Sequence, residues 1–275
     1  MSRYTYGYEH QSSSLNGMTR ILMLSVRLFQ STIGAKYKKS FLGYFWMVFP
    51  ALMITIGVSM ASHAGIINPG QTDLPYPLYV LIGTLVWQVF AEGVEIPYQA
   101  FEGGRSYLTR VNFPRIAIVL AQTYESIITT LVRAVVVILT IALFHHLTTV
   151  AVAIIIYGFV SAAFLGIGTG AILTPSMLLF SDLHNTIKLI LSYGIVLTPA
   201  LYSPKHGGLL STVVNQNPIS MLMNGVRDVA ASGNISSPIS FSIAAVFTVF
   251  LVVAGFALLR MSSPILIERM LIGGR

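Results

Sequence analysis

The chain has 275 residues, 55% of them hydrophobic and only 9% charged, and its mean hydropathy is +0.77. Soluble domains carry about 25% charged residues, so the polar surface needed to keep this chain in water is missing, and it reads as an integral membrane protein. It contains no cysteine, which excludes disulfides, thiolate chemistry and Cys-ligated metals.

Residues Met1–Asn16 are rich in Tyr, Ser and Gly and read as irregular. The first 30 or so residues hold no hydrophobic stretch before a cleavage site, so no cleavable signal peptide is expected and the first span must act as its own insertion signal. From Gly17 to Gly34 a helical period predicts an amphipathic helix. Leu22, Val26, Phe29 and Ile33 form one apolar stripe, and Arg20, Arg27 and Ser31 lie on another face. This helix is too polar to span, and it is expected to lie in the membrane interface. The alternative is a solvated helix packed on a soluble domain. Then comes Lys36–Pro50, KYKKSFLGYFWMVFP. Lys36, Lys38 and Lys39 suit water or lipid phosphates, whereas Phe41, Phe45, Trp46 and Phe49 suit hydrocarbon. The junction marks a membrane surface, and its cations suggest the cytoplasmic one.

Six spans are predicted, over about Phe41–Ser62, Tyr76–Val94, Arg115–Phe144, Val150–Leu173, Ile187–Tyr202 and Pro238–Leu259. Continuous apolar runs of this length favour helices over a barrel, whose strands alternate. The fold class expected is therefore all-α and integral to the membrane. It divides into a cytoplasmic N-terminus with the interfacial helix (1–40), a six-helix transmembrane domain (41–260) and a cytoplasmic tail (261–275). Thirteen of the sixteen Lys and Arg fall on one side of this arrangement, two (Lys205 and Arg227) on the other, and Arg133 inside a span. That bias places both termini in the cytoplasm. It also accounts for the net charge of +7 without nucleic acid.

Several segments are candidates for function. The loop Tyr98–Arg115 is long for a turn and mixes apolar residues with Arg105 and Arg110, as a short helix along the membrane would; a plain connector is the alternative. Glu125 and Arg133 lie within the third span, where charges are costly. Eight residues apart, or about 12 Å along a helix, they cannot pair directly and need partners elsewhere. A structural network and a role in translocation are both open. Gly166 and Gly170 form a GxxxG pattern suited to close helix packing. Asn217-Pro218 is expected to start a helix and Ser232-Gly233-Asn234 to end one, giving either an outer re-entrant pair of half-helices or a surface helix. There is no GxxxxGK[ST] phosphate loop. Adjacent His145 and His146 have no carboxylates near them in sequence, so no metal site is expected.

Taken in this order, the segments resemble the membrane subunits of type-2 ABC exporters, the permeases of capsular polysaccharide, O-antigen and teichoic acid. Lys36, Tyr37, Lys38, Ser40, Leu42, Gly43, Trp46 and Pro50 are similar to that family's KYK-x-S-x-LG-x-x-W-x-x-x-x-P signature. Leu108–Pro114, Asp182 with Pro199–Tyr202, and Asn217-Pro218 with Arg227 are similar to three further family segments. Ser181, Arg110 and Thr198 depart from the family's usual Arg, Lys and Ser. The resemblance implies a homodimer in the inner membrane above two cytosolic ABC ATPase subunits, which would carry ATP and Mg while this chain binds no cofactor and catalyses nothing. Arg105, Tyr107, Leu108 and Arg110 would couple to the ATPase, and Lys36, Tyr37, Lys38, Lys39 and Trp46 would join the interfacial helix to span one. A lipid-linked glycan would cross between protomers, past candidates Tyr44, Phe45, Phe49, Trp87, Tyr124, Glu125 and Arg133, with Asn217, Pro218 and Arg227 in the outer segment. Teichoic acid, lipids and other small molecules are alternative cargoes, and an ion-coupled secondary transporter is the alternative class.

Overall fold

The computed structural model describes residues 17–37, 45–68, 70, 72–104, 115–143, 147–203, 214 and 216–272. Among them the chain is all-helical: α1 (Gly17–Tyr37), α2 (Phe45–His63), α3 (Tyr76–Gly103), α4 (Arg115–Ala142), α5 (Thr149–Leu179), α6 (Ser181–Leu197), α7 (Pro218–Ser232) and α8 (Pro238–Ile272). Five of these, α2, α3, α4, α5 and α8, are long and apolar enough to cross a membrane. Helix α6 is not one of them. It has 17 residues and carries Asp182, His184 and Lys188 in its first half, which leaves a continuous apolar run too short for the ~20 residues a span needs. The fifth predicted span, Ile187–Tyr202, thus corresponds to a helix that starts six residues earlier and stops at Leu197.

Three other boundaries differ from the sequence reading, and in each case a helix runs on. Helix α3 continues past Val94 to Gly103, so the first part of the expected 98–115 loop is helical. Pro97 lies inside it, and the chain leaves the helix only at Gly103-Gly104. Helix α5 passes through Pro175 to Leu179, and α8 passes through Pro264 to Ile272. Proline is tolerated within helices at membrane depth because neighbouring helices and Ser/Thr side chains take up the freed backbone groups.

The centre of the molecule is the contact of α3 with α5, and α8 packs on the other side of α5. Small residues on α5 allow this. A Cβ added at Gly166 or Gly170 would collide with the carbonyls of Phe90 and Val94 on α3, and one at Gly168 would meet the α8 backbone near Leu251. The GxxxG pattern is a packing ridge, as its spacing suggested. Around this pair the core holds Ile82, Leu85, Val86, Phe159, Ala162, Leu222, Met223 and Val226.

Helix α1 packs on α4, with the Phe29 ring edge-on to Tyr124 at 5.9 Å. Its buried line includes Ser25, while Leu22, Met23 and Val26 stay exposed beside Arg20 and Arg27. Of the apolar stripe read from the sequence, Leu22 and Val26 are open, whereas Phe29 packs on α4. Helix α7 starts and stops where the sequence signals place it. Asn217 caps its start by accepting from Ile219 N at 3.2 Å, and Gly233 ends it in the left-handed conformation at φ 76°. The described part of this segment is the helix Pro218–Ser232; most of 204–216, where the other half of a re-entrant pair would fall, lies outside the described residues.

Candidate functional site

The two arginines closest to the core are held in opposite ways. Arg133 on α4 is 2% exposed. Its Nη1 donates to Glu92 Oε2 at 2.7 Å and its Nη2 donates to Glu92 Oε1, the two-pronged geometry that suits guanidinium and carboxylate. Nε and Nη2 also reach Met47 O at 3.3 Å, which ties in the first turn of α2. Glu92 on α3 is itself 52% exposed. So the cation is sealed and the anion is open.

A second polar contact on α3 is one turn further on. Glu95 Oε2 lies 3.1 Å from His184 Nε2 on α6, and the His184 ring stacks on Tyr98 at 3.8 Å. Glu95 Oε1 and, two turns back, Gln88 Oε1 are buried without a hydrogen-bond partner. Gln88, Glu92, Glu95, Gln99 and Glu102 recur at spacings of four and three. At 100° per residue they fall within roughly 80° of arc, one polar stripe along an otherwise apolar helix. The sequence reading placed Gln88 and Glu92 within a span but gave them no role. This four-three recurrence is the signal that would have found them. Their partners, Arg133 and His184, lie 41 and 89 residues away from Glu92 and Glu95 and follow only from the packing.

Arg227 on α7 is bound to backbone instead. Nη1 donates to Pro199 O at 2.7 Å, and Nη2 to Tyr79 O at 2.9 Å and Ala200 O at 2.8 Å. The guanidinium lies 3.5 Å over the Tyr79 ring. Burial pulls it down from the usual arginine value to about 10, so it stays charged at neutral pH. Tyr79 Oη donates toward Tyr202 O at 3.0 Å, and Tyr76 Oη to Leu201 O at 2.9 Å. Every carbonyl from Pro199 to Tyr202 is thereby taken. A side chain at Gly83 would displace the Arg227 guanidinium. Two segments distant in sequence, Pro199–Tyr202 and Asn217–Arg227, thus form one unit with the start of α3.

The other predicted site residues are distributed as follows. Phe45, Trp46 and Phe49 form a ring cluster on α2 with centroids 5.3–6.3 Å apart, and Phe45 and Trp46 are exposed. Trp87 does not face an open path within the protomer. It is buried with Nε1 donating to Leu191 O at 3.1 Å, and its ring fills the space over Gly194. The reason is that α6 crosses α3 at Gly194, where only a glycine leaves room for the indole. Tyr124 is the α4 half of the α1 contact, and Glu125 is half-buried and has a partner of its own. Lys36 and Tyr37 close α1, and Pro218 opens α7 after Asn217. Lys38, Lys39, Tyr44, Arg105, Tyr107, Leu108 and Arg110 lie outside the described residues, as do His145 and His146. No group of three or more metal-ligating side chains occurs among the described residues.

No family model and no curated protein sequence matches this chain.

Proposed function

We propose that this multi-pass membrane protein is the transmembrane subunit of an ATP-driven exporter in the cytoplasmic membrane. Its cargo would be a lipid-linked polysaccharide of O-antigen or capsule type. The carrying observation is the ordered set of motifs at Lys36–Pro50, Leu108–Pro114, Pro199–Tyr202 and Asn217–Arg227 on a chain of apolar helices. In this reading two copies form the pore and two cytosolic ATPase subunits bind ATP and Mg beneath them. Both termini are cytoplasmic, and α6 with the turn after it completes a sixth crossing. The contact of Phe29 with Tyr124 supports a mechanical link, because it joins the interfacial helix to α4. Exposed Phe45 and Trp46 suit a glycan, since aromatic rings stack on sugar faces with little directional demand.

The test is charge reversal. Arg105→Glu with Arg110→Glu should abolish surface polymer, or release the ATPase in co-purification, while membrane insertion stays normal. Undiminished export by that variant would sink the coupling role. An adjacent reading frame for an ATPase among glycosyltransferases would support the class independently.

A second reading is an ion-coupled carrier. The Arg133–Glu92 pair favours it, because carboxylates at membrane depth serve as proton relays. Transport that collapses with a protonophore while ATP is maintained would select that reading, whereas transport that stops on ATPase loss selects the first.

A further inference from the structure

The polar stripe on α3 has a depth that can be argued without knowing how the chain is registered in the bilayer. A span needs about 20 residues, and α3 has 28. Every 20-residue window that fits between Tyr76 and Gly103 contains residues 84–95. Gln88 and Glu92 therefore lie within the span in every such register, and Glu95 lies at its edge in the outermost one. The same argument on α4, Arg115–Ala142, retains residues 123–134 and with them Arg133.

At that depth a half-exposed carboxylate needs a polar surrounding. An unshielded charge within a span is costly, up to about 2.5–3.5 kcal/mol on insertion scales where the register brings it to the centre. Arg133 offsets part of this for Glu92, but it is fully used and lies behind the carboxylate. Half of the Glu92 side chain is left open by the described residues. Gln88 Oε1 and Glu95 Oε1, on either side along the same stripe, are further acceptors without donors. Buried oxygens of this kind are normally hydrogen-bonded, to protein or to ordered water. The remaining exposed faces of the bundle behave differently. Leu131 on α4 and Val253 on α8 are exposed, apolar and within the obligatory span windows, as lipid contact requires.

We propose that the α3 stripe Gln88–Glu92–Glu95–Gln99 lines a water-filled path through the membrane. Arg133 holds the Glu92 carboxylate in its wall, and α2 and α6 flank it. Among the described residues the α3 stripe is rich in acceptors and carries no cation of its own, and the arginine paired with it, Arg133, is sealed behind Glu92. It suits a passenger that donates hydrogen bonds, such as an uncharged polyhydroxylated glycan. It disfavours a dense polyanion such as a polyol-phosphate chain. This choice of cargo rests on the exporter reading, whereas the aqueous path does not.

The natural absence of cysteine makes the test direct. Single variants Gln88→Cys, Glu92→Cys, Leu131→Cys and Val253→Cys would be made in the full-length chain in intact membranes. Each would be treated with membrane-impermeant thiosulfonates, one cationic and one anionic. Q88C and E92C should be modified, and L131C and V253C should resist both reagents by at least tenfold in rate. At Q88C, where Glu92 is intact, the cationic reagent should react several-fold faster than the anionic one. Should E92C fail to reach the membrane, Q88C alone carries the test. Inert Q88C and E92C would overturn the path. Inert E92C that instead forms a disulfide with a second copy would make the stripe a protomer contact and overturn it equally. An anionic reagent reacting as fast as the cationic one would overturn the acidic wall and with it the cargo preference. None of these readouts needs ATP or an ATPase, so loss of the exporter reading in the charge-reversal experiment leaves the result distinct.

Discussion

The two buried arginines of this protein use the same guanidinium for opposite ends. Arg227 is caged by three backbone carbonyls and a tyrosine ring. Backbone acceptors cannot ionise or change partner without moving the chain, so Arg227 fixes the turn after α6 onto the start of α3. Arg133 is equally enclosed but spends its strongest bonds on one carboxylate that is half open. A carboxylate can hydrate, protonate or meet a passenger while the arginine stays in place. One site closes the fold, and the other presents a charge at a surface.

That contrast is breakable by mutation. The largest expected effect is at the cage. Arg227→Ala strips the guanidinium from three buried carbonyls, leaving Ala200 O without it and Pro199 O with only the longer bond from Tyr79 Oη at 3.3 Å. It should cost about 3 kcal/mol, seen as a steep loss of thermal stability in detergent. A loss below 1 kcal/mol would show that the turn stands without it. Next comes Glu92→Ala, which strands a buried cation on Met47 O and should cost about 3 kcal/mol. Arg133→Met should cost less, because the carboxylate it leaves can take water. If removing Arg133 proves the more damaging of the two, Glu92 is not open in the native membrane.

Gly170→Ala touches neither arginine but drives a methyl group into the Val94 carbonyl. Overpacking of this kind costs about 1–3 kcal/mol. It should also weaken both sites together, since both rest on α3, and thermal unfolding of G170A against the arginine variants would show whether they share that support. The smallest effect is expected from Tyr79→Phe. It removes the hydroxyl that holds Tyr202 O but keeps the ring under Arg227, and about 1 kcal/mol should be lost. A larger loss would mean that the hydroxyl, rather than the guanidinium, anchors the turn.

Much of the framework was legible because it is local. Twenty apolar residues identify a span without reference to any neighbour, and Asn217, Pro218 and Gly233 mark the ends of α7 through backbone chemistry within a few residues. Gly166 and Gly170 announced a close contact by spacing alone. The candidate site was legible only in part. Arg133 was conspicuous as a charge inside a span, and its need for a distant partner followed from helix geometry. That partner was missed because Glu92 belongs to a span read only for its apolar residues. The setting of Trp87 against α6 was not legible for a related reason: an aromatic side chain in a span looks the same whether it faces lipid, pore or glycine.

The amino-acid sequence by itself determined that this chain belongs in a membrane, which stretches are helical and which residues are too polar for where they sit. Those properties depend on short windows and on the cost of placing polar groups in hydrocarbon. Only the tertiary structure decided which helix answers each misplaced charge. Glu92 meets Arg133, Glu95 meets His184 and Arg227 meets the 199–202 turn because α3 lies against all their neighbours. A contact across 41 to 148 residues depends on packing that no local window contains.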